Sequence, residues 1–274
     1  MIVGEVEYRH ELGLHAALEV KSASPFYFDD ANTASNPRST GRTCRPTAER
    51  AGERPMREGT DAPGVPKTDI PDVLRARQKD RALSYYSRIA DGYHRRVARG
   101  PLRVLRDRER AIVLELARLL PGLSLADVGC GSGFYALEAK RRGLRVCAMD
   151  AVPEMLAQLD GHVDEVRLVD VEALSVSGAF DRVICAGVLD FVADAERAFA
   201  NLCGLVAPGG WLVILAPCAG PGGWLYRAEK MLFGLRVNVF EPSWLQERAH
   251  RYGLRPTELR RPLPINVALS ARRG

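Results

Sequence analysis

The sequence contains no uninterrupted apolar run long enough to span a bilayer, and no basic start followed by an apolar stretch of signal-peptide length. These absences argue against an integral membrane protein and against a secreted one. Apolar residues are nevertheless plentiful, at 46% of the 274 residues, which is enough for a buried core. We therefore expect a globular, cytoplasmic protein without a transmembrane segment.

Cysteine pairs with the spacing of metal sites are also missing. None of the six cysteines stands in C-x-x-C spacing: Cys44, Cys130, Cys147, Cys185, Cys203 and Cys218. Several of them fall in predicted strands or beside a glycine-rich loop, where a thiol behaves as a small apolar side chain. We expect buried thiols here, with neither disulfides nor a metal site.

Periodic apolar residues are scarce in the first quarter of the chain. Residues from about 29 to 68 are rich in Pro, Gly, Ser, Thr and Arg, and such a composition buries too little apolar surface to order a chain. Helical periodicity begins after Pro71 and resumes over residues 102–120. We therefore expect a disordered extension, residues 1–70, and one domain, residues 71–274, that begins with a helical cap.

Three alternating glycines, Gly129, Gly131 and Gly133, follow the apolar run of residues 125–128. Glycine lets the chain turn sharply off a strand and pass close to a ligand. Residues 131–136 also satisfy the G-x-G-x-x-G/A pattern of dinucleotide-binding proteins, so a nicotinamide or flavin protein is one alternative. Asp127 would repel a pyrophosphate but attract a ligand ammonium, which favours a cofactor that carries an amino acid.

Carboxylates recur at the ends of the apolar runs that follow. Residues 144–149 lead to Asp150, at the place where ribose hydroxyls are bound in both nucleotide classes. Residues 166–169 lead to Asp170 in the same way. Either carboxylate could instead cap the next helix, because Asp accepts hydrogen bonds from free backbone N–H groups.

The chain resembles the class I S-adenosylmethionine-dependent methyltransferases, especially the small-molecule group that includes the ubiquinone and menaquinone methylases. The resemblance covers roughly residues 80–272 and is carried by the glycine loop, by Asp150, and by residues 180–191 and 207–214. It implies an α/β, Rossmann-like fold: a seven-stranded, mostly parallel sheet with an antiparallel terminal strand and helices on both faces. The short connection of residues 262–264 independently predicts antiparallel pairing of the last two strands, because a parallel crossover is longer.

The resemblance also implies the cofactor, S-adenosylmethionine, and its binding residues. The three glycines, with Asp127 and Cys130 beside them, would hold the methionine part. The remaining predicted cofactor residues are Asp150 and Ala151 for the ribose, Asp170 and Val171 for the adenine, Ala186 and Gly187 for the floor, and Tyr86 and Tyr93 for the cap. The two tyrosines could equally be core aromatics.

No motif marks a catalytic residue, and methyl transfer requires no side-chain nucleophile. Two candidate bases are His250, whose helix we expect on the substrate side, and Asp190, which follows the fourth strand. The family often has Glu-His where this chain has Asp190 and Phe191, so a role for that pair is not carried over.

Residues 221–236 are predicted to form a lid. Apolar residues recur with helical spacing over 224–235, which predicts a helix packed on the core, with transient membrane contact as the less favoured alternative.

The charge distribution bears on the substrate. Residues 121–220 hold seven basic and thirteen acidic side chains. The flanks are basic: residues 71–120 hold thirteen basic and six acidic side chains, and residues 221–274 hold ten basic and four acidic ones. Basic flanks favour a small, apolar and anionic acceptor, such as a quinone precursor, a porphyrin-like acid or a natural product. An RNA or protein methyltransferase is an alternative, although no dedicated nucleic-acid-binding module is recognisable, and a nicotinamide-dependent oxidoreductase is a more distant one.

Overall fold

The computed structural model describes residues 72–97, 103–174, 178–262 and 265–274. Within these ranges the strands are β1 Ser124–Val128, β2 Arg145–Asp150, β3 Glu165–Leu168, β4 Phe180–Ala186, β5 Val206–Pro217, β6 Leu254–Arg260 and β7 Asn266–Arg273. The helices are α1 Asp72–Val97, α2 Arg103–Ala117, α3 Phe134–Arg141, α4 Pro153–Leu156, α5 Ala195–Leu205, α6 Pro221–Leu232 and α7 Pro242–Arg251. The predicted extension of residues 1–70 and Cys44 lie outside the described residues, and that division of the chain stays a prediction.

The described strands form one sheet in the order β3-β2-β1-β4-β5-β7-β6. β1 pairs in parallel with β2 and β4, and the parallel pairing continues outward to β3 and β5. β7 runs antiparallel to both β5 and β6. The mostly parallel sheet and the antiparallel last strand confirm the predicted fold class.

Apolar side chains point alternately to the two faces of the sheet along β4, and both faces are covered by helices. Val183 and Cys185 pack on one side with α5 and α7, and Ile184 packs on the other with α2 and α3. All three side chains are fully buried, as expected for a parallel strand between two helical layers. Helices on both faces were predicted, and the structure confirms them.

The helix α1 covers the edge of the sheet at which β1 to β4 end. Ala90 of α1 is buried against Val152 and Met155, which precede and belong to α4. Two hydrogen bonds link α1 to α4 and to the turn that follows it: Ser87 Oγ donates to Glu154 Oε1 at 2.8 Å, and Gln158 Nε2 donates to the Ala90 carbonyl at 3.1 Å. The predicted helical cap therefore lies directly above the carboxyl ends of the parallel strands.

The cysteines in the described ranges are all free thiols. Cys130, Cys147, Cys185, Cys203 and Cys218 are each buried, and none forms a disulfide. Burial raises the pKa of the Cys203 thiol to about 12, which keeps this sulfur protonated and unreactive at neutral pH.

Asp127 ties β1 to the start of α3. Its side chain is 1% exposed, and Oδ2 accepts a hydrogen bond of 3.0 Å from the Ala136 N–H in the first turn of that helix. Burial raises the pKa of the Asp127 carboxyl to about 7, the nearby Asp150 adds to the increase, and the bond from Ala136 opposes it. Asp127 therefore makes a structural contact beneath the glycine loop, and its ionisation destabilises the folded state.

We predict that Asp127 makes the folded state less stable as the pH rises from about 4 to about 7. Its pKa is about 7 in the folded chain. An unfolded Asp titrates near pH 4, so the folded state loses up to about 1.4 kcal/mol of stability per pH unit between these values. Asp127→Asn removes this titration, and an Asn oxygen can still accept from Ala136. Urea unfolding at several pH values should therefore give a smaller decline for the variant than for the unmodified chain.

Asp160→Asn is the matched control, because Asp160 is exposed and the substitution is the same. Its stability should decline with pH as steeply as that of the unmodified chain. If stability declined with pH equally in Asp127→Asn and in the control, the raised pKa of Asp127 would not be the cause of the decline.

Candidate functional site

A cavity of about 850 Å³, counted out to its open mouth, lies at the carboxyl ends of β1 to β4 beneath α1. The chain order reverses here, because β2 and β3 lie on one side of β1 and β4 lies on the other. Open α/β sheets bind ligands at such a reversal point.

The glycine loop forms one wall of this cavity through Gly129 and Gly131. Gly129 has φ 70°, and a Cβ added to it would lie 2.0 Å from Val188 Cγ2. Gly133 has φ 78°, and a Cβ there would lie 2.2 Å from Leu159 Cδ2. The loop therefore packs so closely that a side chain at either position would collide with its neighbour, and either that neighbour or the loop would have to shift.

Asp150 fixes the polar end of the cavity. Its Oδ2 accepts a 2.9 Å hydrogen bond from the Gly131 N–H, and its Oδ1 accepts one of the same length from the Val152 N–H. Burial raises the pKa of Asp150, while these backbone donors act in the opposite direction. The carboxylate is thus held in place, with lone pairs left for hydroxyl donors of a ligand.

Three charged side chains line the cavity where β3 ends. Lys79 of α1 pairs with Asp170 and donates to Glu172 Oε2 at 2.7 Å. Although burial favours the neutral amine, the two carboxylates raise the pKa of Lys79 above its ordinary value. Asp170 also accepts from the Glu172 N–H at 2.9 Å, so it does cap the 3-10 turn Val171–Ala173. Lys79 therefore ties α1 to the end of β3.

The rest of the lining is apolar. Tyr86 of α1 and Phe191, which follows β4, meet edge to face with ring centroids 5.3 Å apart. Val188 and Val192 extend this wall along the β4 side. The cavity is thus polar next to Asp150 and apolar beneath Tyr86.

The structure brings most of the predicted cofactor residues to the cavity. The lining includes Tyr86, Gly129, Gly131, Asp150, Ala151, Asp170, Val171, Ala186 and Gly187. Asp127, Cys130 and Gly133 lie in or behind the loop without lining the cavity, and the Tyr93 side chain is outside the described part. The sequence reasoning missed Lys79 and Glu172, which carry no local signal because they meet across more than 90 residues.

Asp190 lies behind the apolar wall, between Leu189 and Phe191, and does not itself line the cavity. The side chain is 2% exposed, and Oδ2 accepts a 3.1 Å hydrogen bond from the Tyr226 hydroxyl of α6. Oδ1 is buried and has no hydrogen-bond partner among the described residues. Burial raises the pKa of Asp190 to about 6, and the Tyr226 hydroxyl and Lys230 oppose that increase. A buried carboxyl with one oxygen unpaired is a candidate proton acceptor.

His250, the other candidate base, does not reach the cavity. It is exposed at the end of α7, whose Trp244, Leu245 and Ala249 are buried against the sheet. We expected α7 on the substrate side, and the structure corrects this. The helix packs with α5 beside the antiparallel strands, away from the carboxyl ends of β1 to β4.

The predicted lid forms α6 and the turn after it, but its apolar stripe does not pack on the core. Trp224, Leu225, Met231 and Leu232 are all exposed, and Leu235 is the buried member of the stripe. The interpretation of these residues as a core-packed stripe is therefore wrong apart from Leu235. Instead, Tyr226 points inward to Asp190.

Comparison with known proteins agrees with this architecture. A family model for a methyltransferase domain matches residues 126–214, from within β1 to within β5. The ubiquinone biosynthesis O-methyltransferase of Bordetella avium (strain 197N) is 29% identical over 177 residues, which are 58% of this chain and 73% of that protein. These similarities cover the glycine loop and the strand ends that line the cavity.

Solved structures share the fold. Magnesium protoporphyrin IX methyltransferase from Synechocystis PCC 6803, with bound S-adenosylhomocysteine, superposes with a TM-score of 0.58 at 19% identity, covering 72% of this chain and 100% of that one. A Burkholderia thailandensis N1-methyltransferase that acts on 1,6-didemethyltoxoflavin superposes with a TM-score of 0.54 at 18% identity. The match covers 78% of this chain and 93% of that one. Together with the family match, the glycine loop and the sheet order, these similarities support a class I methyltransferase that uses S-adenosylmethionine.

Proposed function

We propose that this protein transfers a methyl group from S-adenosylmethionine to a hydroxyl of a small, largely apolar and anionic acceptor. The observation that carries the proposal is the Asp150 carboxylate, held by the Gly131 N–H in a cavity whose lining is apolar apart from Asp150 and the group Lys79, Asp170 and Glu172. Quinone precursors, porphyrin-like acids and aromatic natural products belong to this acceptor class. The O-methyltransferase relatives favour a hydroxyl as the methylated group.

The cavity residues fit the cofactor. Asp150 offers carboxylate oxygens to a ribose diol, and Gly129 and Gly131 line the cavity beside it, where a methionine moiety would lie. Val152, Met155 and Val171 supply apolar surface for a flat base. Bound S-adenosylmethionine would supply an electrophilic methyl group on a sulfonium.

The chain's own contribution is orientation and proton removal. Holding the acceptor in line with the methyl group contributes roughly 7–11 kcal/mol to lowering the barrier, without any protein nucleophile. The Tyr86 and Phe191 rings would position a flat acceptor and exclude water from it. Asp190 would accept the hydroxyl proton on Oδ1, which is buried and without a described partner.

Cytoplasmic localisation stays a prediction.

Substitution of Asp150 tests the cofactor site. We predict that Asp150→Ala weakens binding of S-adenosylhomocysteine roughly ten- to hundredfold in equilibrium dialysis, because hydrogen bonds to a charged acceptor are lost. Asp164→Ala is the matched control, since Asp164 also accepts a backbone N–H, from Val146 at 2.8 Å, but does not line the cavity. Equal affinities of the two variants for S-adenosylhomocysteine would show that Asp150 does not bind the cofactor.

Asp190 and Tyr226 are tested through the pH dependence of methyl transfer, with protocatechuate as an anionic phenol acceptor. Because a base must be ionised, kcat should fall as the pH drops below about 6, the pKa of Asp190. Asp190→Asn should lower kcat by roughly 10²–10⁴-fold and abolish this acidic limb. Tyr226→Phe should move the limb to higher pH, because the tyrosine hydroxyl stabilises the ionised carboxylate.

A purely structural role for Asp190 predicts a different pattern. Both variants would then be less stable or have a higher KM, while the acidic limb of the kcat–pH profile would stay at the same pH. An unmoved limb in Tyr226→Phe would therefore refute the base assignment without affecting the cofactor site.

A further inference from the structure

The outer surface of α6 and the following turn is strongly apolar. Its five large side chains are exposed: Trp224 by 52%, Leu225 by 73%, Met231 by 61%, Leu232 by 86% and Phe233 by 58%. We call these five residues the α6 face. Scattered exposed apolar residues are ordinary, but five within ten consecutive residues form a patch of the kind that marks an interaction site.

The helix beneath this face is firmly attached to the domain. A Cβ added to Gly223 would lie 2.0 Å from the Cys218 carbonyl oxygen, so the first turn of α6 packs directly on the backbone that follows β5. Leu235 is buried after the turn, and the Asn238 side chain donates to the Leu189 and Val192 carbonyls. The exposed side chains therefore lie on a fixed helix.

Cations lie beside the α6 face. The Arg227 guanidinium lies over the Trp224 ring, and Arg236 is exposed after the turn, whereas Lys230 is largely buried and pairs with Glu229. Across a groove of about 610 Å³, α1 contributes Arg81 and Arg88, with Asp80 as the opposing charge. Phe233 borders this groove and lies near Tyr85 of α1, at 6.4 Å between ring centroids. The apolar patch thus has a predominantly basic rim.

We propose that the α6 face docks this protein on the surface of an anionic lipid bilayer. Apolar side chains that can enter the headgroup region, with cations beside them, are the features of helices that lie in a membrane interface. A bilayer with acidic headgroups would complement both the apolar patch and its rim. A second copy of this chain would cover the apolar surface but would bring the same cations against it, which disfavours self-association.

The docking is interfacial. No helix among residues 72–97, 103–174, 178–262 and 265–274 is long and apolar enough to cross a bilayer. On the opposite side of α6, Tyr226 contacts Asp190. The helix would therefore lie between the lipid surface and the apolar end of the cavity.

Vesicle binding by the full chain tests this inference without reference to methyl transfer. We expect cosedimentation with vesicles of phosphatidylcholine mixed with phosphatidylglycerol, weak binding to phosphatidylcholine alone, and weaker binding as salt is added. The double variant Leu225→Ser with Leu232→Ser should lose affinity for the mixed vesicles roughly a hundredfold, because two apolar insertions are removed. Neither substitution disturbs the core, since both side chains are exposed.

The matched control is Val104→Ser with Leu168→Ser, which removes two apolar side chains of similar exposure, 74% and 62%, from other parts of the domain. It should bind the mixed vesicles as the unmodified chain does. Arg227→Gln with Arg236→Gln should weaken binding to the mixed vesicles and leave the weak binding to phosphatidylcholine unchanged.

Three results would overturn the inference. One is absence of binding to the mixed vesicles by the unmodified chain. Another is equal binding by the α6 double variant and its control. The third is a dimer in sedimentation velocity that the α6 double variant dissociates, because the face would then be an interface between two copies.

Discussion

The close packing of the glycine loop against two neighbouring segments is the constraint on which the rest of the site depends. Gly129 lies against Val188 and Gly133 lies against Leu159, with no space for a Cβ at either position. This packing brings the Gly131 N–H within 2.9 Å of the Asp150 carboxylate and so fixes the end of β2 against the end of β1. The cavity, its polar end and the start of α3 all follow from that single turn.

Three aspartates near this turn differ in what surrounds them. Asp127 is enclosed and bonds to the Ala136 N–H, so it serves the fold. Asp150 is held by two backbone donors at the cavity wall, where a ligand can reach it. Asp190 is buried behind the apolar wall, and its Oδ1 has no hydrogen-bond partner in the described part of the chain. The same residue type thus lies in three environments because burial and hydrogen-bond partners differ.

Much of the fold and of the cavity was predictable from the sequence, since apolar runs ending in Asp150 and Asp170 mark strand ends, and parallel strands bring their ends to one edge. Other features were not predictable. Lys79 reaches Glu172 across 93 residues, and Tyr226 reaches Asp190 across 36. Helical periodicity identified the residues that share one side of α6, but whether that side is covered depends on distant packing. The same limitation explains His250, because its position depends on which strands α7 packs against.

The central claim is that the cavity binds S-adenosylmethionine, and calorimetric titration of the full chain tests it most directly. Separate titrations with S-adenosylmethionine, S-adenosylhomocysteine and NADH compare the two cofactor classes that the glycine loop allows. The account predicts saturable, one-to-one binding of the first two ligands and none of NADH. Binding of NADH alone, or of none of the three, would contradict it.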